Sequence, residues 1–434
     1  VSIMHLALFL TLSGLHLGGW RHPTSLDADP MDVRAYAAMA CRAEEAALDM
    51  VFMADKLGID GVYGGSIDAT LVSRVVGTPE PLTLLSALSV LTDRIGLAGT
   101  ISTTYTEPYH VARMIGSINH YSRGRIGWNA VTSVSDSEAR NFGRDRHLEH
   151  AERYERAEEF IEVVQKLWKS WDAQAIVRDK VSGRYALPDS IEPIQHGGQH
   201  FRVEGPLNQP PFPDAKPVLI QAGVSERFSD IASRHAEVIF PVLPTVASAR
   251  DFTAGFRNRV AAAGRDPNRV RILPGCVPII AETDTQAEAL RAELDALIHP
   301  LAGLTFMSGS MNHDLAAYAP DGLMPDLGDR IRGSRGRFLP LVKEARARGL
   351  TLDQTARFYA RDLSFPIFVG APATVAGLMA EWVETTGVDG FTVIPPYVSA
   401  SEDLFLEGVV PELQKQGVFR KRYEGRTLRD HLGI

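Results

Sequence analysis

Residues 147–160, HLEHAERYERAEEF, alternate acid and base as an exposed helix does, yet His150 and Tyr154 fall four apart and continue through Ala157 and Ile161 along the spacing of a buried stripe. An imidazole and a phenol one turn apart can grip a phosphate or an anionic ring system, and the imidazole gains charge when protonated. The same spacing suits a half-buried pair within a core equally well. A second candidate lies in QAGVSERFSDIASRHA (221–236), where the chain leaves an apolar run through Gly223 and enters a helix near Ser225. Free backbone N–H groups and a hydroxyl at the positive end of a helix dipole make an anion site, and a plain Ser N-cap is compatible with that role. Other chemistries find no match. HLEH is neither HExxH nor HxxEH, so no metal site is expected, and the chain lacks GxGxxG after a strand, GxxxxGK[ST] and GxSxG.

Eight short apolar runs must position these groups: MHLALFL, DMVFMAD, RIGLAGTIST, RIGWNAVTS, PVLIQAG, EVIFPVL, RVRILPGCV and DGFTVIPP. Nearly continuous apolar strands alternating with helical patterns imply a parallel sheet buried on both faces, and the count favours an α/β (β/α)₈ TIM barrel over a doubly wound sheet. Helices fit the gaps, at 32–48 and at 372–386, the latter running from a proline start to Gly387. Residues 170–216, after the fourth strand region, and 297–365, after the seventh, exceed an ordinary crossover. They predict a single domain over 1–434 with two insertions, both placed as covers or oligomer contacts.

In such a barrel the carboxyl ends of the strands carry the site. Several runs end there in polar residues: Asp55, Thr100 with Ser102 and Thr103, Asn129 with Thr132, and Gln221. Each alone reads as a helix cap or turn, whereas their recurrence reads as a shared polar rim.

A formal charge of −8 over 434 residues, without a basic block, offers no footprint for nucleic acid and no polybasic patch for a membrane. No apolar run approaches the ~20 residues that span a bilayer. LALFLTLSGLHLGG lacks a preceding cationic region, so Met4–Leu10 is read as a buried strand and not as a leader core. Two cysteines, Cys41 and Cys276, form no CxxC or Cys/His cluster and fit a reducing cytoplasm.

Longer motifs carry a resemblance. GLHLGGWRHP (14–23), FMAD (52–55), EPYHVARMIGSINHYSRGRIGWNAVTS (107–133), HAERYERAEEF (150–160), QAGVS (221–225), DGFTVIPPY (389–397) and VVPELQKQGVFRKRYEGRTLRDHLG (409–433) are similar to the nitrilotriacetate monooxygenase, pristinamycin IIA synthase and dibenzothiophene-sulfone monooxygenase group of the bacterial luciferase-like superfamily. The resemblance covers almost the whole chain. It implies a barrel that binds reduced FMN (FMNH2) from a separate NAD(P)H-dependent flavin reductase and uses O₂, through a C4a-hydroperoxide, to insert one oxygen atom into a small organic substrate. It also implies a homodimer or homotetramer. By position, Asp55, Thr100, Ser102, Thr103, Asn129, His150, Tyr154, Gly223 and Ser225 match flavin contacts, with Tyr154 and Ser225 toward the phosphate.

On the substrate side stand Trp20, Phe240, Val242 and His313, with His16 or His313 as the group that moves protons or orients the peroxide. The apolar members suit a hydrophobic or heteroaromatic substrate better than a polycarboxylate, and Arg21 is the nearby cation that would reverse that preference. A deazaflavin-dependent oxidoreductase and a flavin-binding protein without catalysis are the competing readings.

Overall fold

The computed structural model describes residues 3–398 and 404–434. Ten parallel strands build one curled sheet: β1 (His5–Phe9), β2 (Met50–Met53), β3 (Gly96–Ser102), β4 (Ile126–Val131), β5 (Val218–Ala222), β6 (Val238–Phe240), β7 (Arg271–Ile272), β8 (Gly275–Ile280), β9 (Ile367–Gly370) and β10 (Gly390–Val393). Their order is β7-β6-β5-β4-β3-β2-β1-β10-β8-β9. All eight apolar runs form strands. The run RVRILPGCV splits at Leu273 and Pro274, and its two halves stand at opposite ends of the sheet, β7 beside β6 and β8 beside β10. The short strand β9, at the end of the longer excursion, has no counterpart among the expected runs; four residues after a proline carry too little pattern to stand out.

Strand parity sorts the side chains into two layers, because successive residues face opposite sides of a sheet. Ala7, Met50, Phe52, Ala98, Val218, Ile220 and Val238 face the hollow of the curl, where Leu428, Leu432 and Ile434 from the chain's end fill one mouth. Leu6, Leu8, Val51, Leu97, Trp128 and Leu219 face the surrounding helices. Those helices start where the sequence supplies caps. Asp32 accepts from the Arg34 N–H, Glu80 caps a helix with proline at its first turn, and Pro372–Thr386 ends at Gly387 with φ 70°, a left-handed position that favours glycine.

The two excursions differ in what they cover. Segment 170–216 folds into two small antiparallel ribbons, Ile176–Asp179 with Arg184–Ala186 and His196–Gly197 with Arg202–Val203. It lies against the outer helices Pro108–Tyr121 and His150–Trp168. Glu159 accepts from His196 Nε2 at 2.9 Å and from the N–H groups of His200 and Phe201 at 2.9 and 3.0 Å, and Asn119 donates to the Ala215 carbonyl at 2.7 Å. Of the two roles expected for it, a cover or an oligomer contact, it does not form a cover over the strand tips: its anchors are on the flank, because it follows a helix and not a strand end.

Segment 297–365 does cover the tips. Its helices Ala302–Met311, Arg335–Ala347 and Leu352–Asp362 share one apolar cluster with Leu15, Val277 and Ile394 at the strand ends. Two of the helices meet backbone to backbone, for a Cβ on Gly303 would lie 1.9 Å from the Ala356 carbonyl oxygen.

The terminal helix Leu428–Leu432 plugs the hollow with fully buried leucines. Leu428→Ala is expected to lower stability by about 2–5 kcal/mol, the range for a core leucine replaced by alanine. A urea denaturation midpoint unchanged from wild type would show that this plug is dispensable.

Candidate active site

The pairing of β3 with β4 places Thr100 opposite Asn129, and both share the inward parity of Ala98 and Gly127. Thr100 Oγ1 donates to the Met53 carbonyl at 2.9 Å and accepts from Asn129 Nδ2 at 2.8 Å. That contact fixes the amide orientation and turns Asn129 Oδ1 away, buried and without a donor. Ser102, two residues on, accepts from the Ser133 hydroxyl at 2.9 Å.

Thr103 has the opposite parity and donates to the Val131 carbonyl at 3.1 Å, so it serves the strand end and does not face the hollow. Gln221, on the parity of Leu219, likewise points to the helix side; its Oε1 is buried without a donor. Asp55, just past β2, is half-buried, and burial pushes its carboxyl up to about 6. The expected rim is therefore narrower than the list of polar strand ends: Thr100, Ser102 and Asn129 face inward, with Asp55 at the edge.

Beside this rim three helix starts come together. His150 is the first residue of His150–Trp168, and its ring lies 4.8 Å from that of Tyr154. Ser225 caps Glu226–His235 by accepting from the Phe228 N–H at 3.2 Å, which leaves its own hydroxyl hydrogen free to donate. The start of Arg335–Ala347 abuts it, since a Cβ on Gly336 would lie 3.4 Å from the Ser225 nitrogen. Arg153 sits between His150 and Tyr154 at 3% exposure, donates to the Gly333 carbonyl at 3.4 Å, and leaves Nε buried without an acceptor. His150 is depressed below the usual imidazole range by burial first and then by Arg153, Arg335 and Arg227. A concentration of guanidinium groups at helix N-termini with an orphaned donor is the chemistry of a phosphate site.

Arg153 and Arg335 were not among the candidates from the sequence. Arg153 lies inside the very motif that drew attention, but alternation with acids gave it the look of a solvated charge.

The floor of the site is aromatic. Phe9, Phe52 and Phe240, at or near the tips of β1, β2 and β6, stack in sequence with centroids 5.7 and 5.1 Å apart, and Phe365 from the covering segment lies 5.7 Å from Phe240. Phe240 and Val242 are thus part of the boundary between floor and cover. An acceptor without a donor, a buried Arg153 guanidinium without a carboxylate partner among the described residues and an apolar floor match what a flavin mononucleotide offers: ring N–H donors, a phosphate and a broad apolar ring. The residues present fit that group.

Other candidates are placed differently. His16 is 1% exposed, with Nδ1 accepting from the Gly18 N–H at 3.1 Å and Nε2 bonded to Asp295 at 3.2 Å. Both ring nitrogens are bonded, Nε2 to a carboxylate, which fixes the ring within its loop. Trp20 is 46% exposed, and Arg21 donates to the Leu297 carbonyl at 2.6 Å, so neither is turned inward to the floor. His313 bonds Tyr318 at 3.0 Å in the cover, and burial, with Arg330 second, lowers its affinity for a proton. Gly223 has φ 155°, a conformation that favours glycine, and a Cβ there would lie 2.8 Å from the Phe228 ring. Among the described residues, Glu158, Glu162 and His235 bring ligand atoms within 4.8 Å of one another, but Arg234 already occupies Glu158 on the outer helix layer.

His147 closes the loop before the His150 helix. The Ser133 carbonyl, 3.1 Å from Nε2, can only accept, so Nε2 carries the hydrogen and Nδ1 receives the Tyr105 hydroxyl at 2.6 Å. Burial, then Arg153, pulls this imidazole down to about 4. An unfolded chain binds the proton from about pH 6.5 downward while the folded one refuses it, so this stabilisation is complete above that pH and is lost as pH falls toward 4. Urea midpoints between pH 7 and 4.5 should fall more steeply in wild type than in His147→Gln; parallel slopes would refute the assignment.

Similarity to known proteins bears on the family. Residues 9–390 match the family model described as luciferase-like monooxygenase. The chain is 41% identical to N-acetyl-S-(2-succino)cysteine monooxygenase of Bacillus subtilis (strain 168), over 99% of this chain and 96% of that protein. It is 40% identical to nitrilotriacetate monooxygenase component A of Aminobacter aminovorans, over 99% and 96%. The solved structure of DmoA from Hyphomicrobium sulfonivorans superposes with a TM-score of 0.89 at 33% identity, covering all of this chain and 92% of that one. An inward polar rim, a cationic pocket at helix starts and this likeness along nearly the full length lead to one conclusion: the chain belongs to the luciferase-like monooxygenases.

Proposed function

We propose that the protein is an FMNH2-dependent monooxygenase of the two-component kind, a single-domain (β/α)₈ barrel over 1–434 with excursions at 170–216 and 297–365, that inserts one atom of O₂ into a small organic substrate. The observation that carries the reading is Arg153, a guanidinium at 3% exposure with a buried, unsatisfied Nε beside His150, Tyr154 and Ser225. A buried cation left unpaired is costly by several kcal/mol, and a phosphate ester removes that cost.

When bound, reduced flavin supplies the electrons and the reactive ring carbon with which O₂ is activated. The chain's own residues do the rest. His150, Arg153, Tyr154 and Ser225 hold the phosphate; Asn129 Oδ1, set by Thr100, accepts from the ring edge; Asp55, with a carboxyl at about 6, takes or releases a proton near neutral pH. The covering helices and the phenylalanine floor exclude water, which protects an activated oxygen species from unproductive breakdown.

The relative from Aminobacter aminovorans is named a component A, which supports a separate NAD(P)H:flavin reductase as partner here. No described helix is long and apolar enough to cross a membrane, which is compatible with action in the cytoplasm, and we assign a homodimer or homotetramer.

Titration of flavin fluorescence tests the phosphate pocket directly. Arg153→Met, Tyr154→Phe and Ser225→Ala should each weaken FMN binding, Arg153→Met by at least about tenfold, a typical loss for one charge-assisted contact. Riboflavin, which lacks the phosphate, should bind wild type and variants alike. Equal losses for both flavins, or none for either, would remove the assignment.

A further inference from the structure

Two arginines near the site lie two positions apart on one helix. Residues i and i+2 of an α-helix point about 200° apart, so Arg335 and Arg337 serve different surroundings. Arg335 lies near His150, on the pocket side, and pairs with Asp329 at 2.9 Å. Arg337 turns the other way. Its guanidinium stands 5.5 Å over the Phe365 ring, and one nitrogen donates to the Tyr359 hydroxyl at 3.3 Å. Phe365 stacks on Phe240, which contacts Phe52. Arg337 thus stands at the edge of the aromatic floor, half-buried.

Five N–H donors in a planar fork suit two carboxylate oxygens side by side, and the Tyr359 contact uses only one of them. No carboxylate among the described residues pairs with Arg337. Asp55 lies past β2, Asp60 is taken by Lys56 and Arg74, and Glu138 accepts from the Leu57, Val134 and Ser135 N–H groups. Asp362, next along from Tyr359, accepts from the Ser364 N–H at 2.7 Å, and burial pushes its carboxyl up to about 7, so it is a weak counter-charge. Asp60, Glu138 and Asp362 are thus engaged elsewhere, while this cation keeps an open fork beside an apolar surface.

We propose that the substrate is an organic carboxylate, its charged end held by Arg337 and its apolar part laid against Phe240. This rests on the flavin-site reading above, and it replaces the preference for a hydrophobic or heteroaromatic substrate over a polycarboxylate that the apolar candidates had suggested; the cation that reverses it is Arg337 and not Arg21. Arg21 is bound to a backbone carbonyl on an exposed turn, whereas Arg337 stands over the floor.

Calorimetric titration of the FMN-bound protein with 3-phenylpropionate and with its neutral amide tests the assignment, with Arg337→Met and Arg337→Lys alongside. Wild type should prefer the carboxylate at least tenfold, Arg337→Met should bind both equally, and Arg337→Lys should fall between; FMN affinity and thermal midpoint should stay at wild-type values in both variants. No carboxylate binding by wild type at millimolar concentration, no preference over the amide, or a preference that survives in Arg337→Met would each overturn it. The same titrations without flavin separate the two readings. Loss of FMN binding with an intact, Arg337-dependent preference defeats the flavin assignment alone, and FMN binding without the preference defeats this one alone.

Discussion

A guanidinium that is almost wholly removed from water needs an anion, and the position of Arg153 imposes that need on everything around it. Its helix presents His150 and Tyr154 on the same side, the Ser225 cap brings a second positive helix end, and the covering segment contributes a backbone carbonyl at Gly333 instead of a carboxylate. A neutral carbonyl satisfies a hydrogen without cancelling a charge. Arg153 is left without a counter-charge among the described residues, and that is the ground on which a phosphate-bearing cofactor is proposed for this pocket.

The curled sheet makes this arrangement rigid. Strand pairing sets Thr100 against Asn129 in register, and a single amide contact between them decides which way the Asn129 oxygen points. The phenylalanine tier below is held by strands whose opposite faces are buried under helices, so the floor cannot shift without disturbing close-packed interior. Above, the cover is tied to the site by Arg332 to Asp136 at 2.7 Å and by Asn312 accepting from the Asp136 N–H at 3.2 Å. The loop before the His150 helix and the covering segment are thus joined by two direct contacts at Asp136.

Much of this was legible before any coordinates. The eight apolar runs are strands, the helix spacing at His150 and Tyr154 does put both rings side by side, and Ser225 caps its helix. The misplacements come from local signals. Thr103 and Gln221 were grouped with the rim by nearness to a strand end, yet their parity turns them to the helix side, and segment 170–216, whose length alone suggested a cover or an oligomer contact, turns onto the outer helices. Arg153 and Arg337 were missed for the opposite reason, since a charged residue in a run of mixed charge carries no mark of being buried.

What the order of residues determined alone is whatever depends on local period and local caps: strand and helix identity, the Ser225 cap, and the family to which the motifs belong. What only the tertiary structure decided is which charges lose their water and which find partners. Burial and pairing are set by segments distant along the chain, such as 328–337 lying over 150–154, and the free energy of a charge depends on its surroundings in space far more than on its neighbours in sequence. The cationic pocket and the open fork of Arg337 exist for that reason as properties of the fold, while the rings and hydroxyls beside them could already be read in the chain.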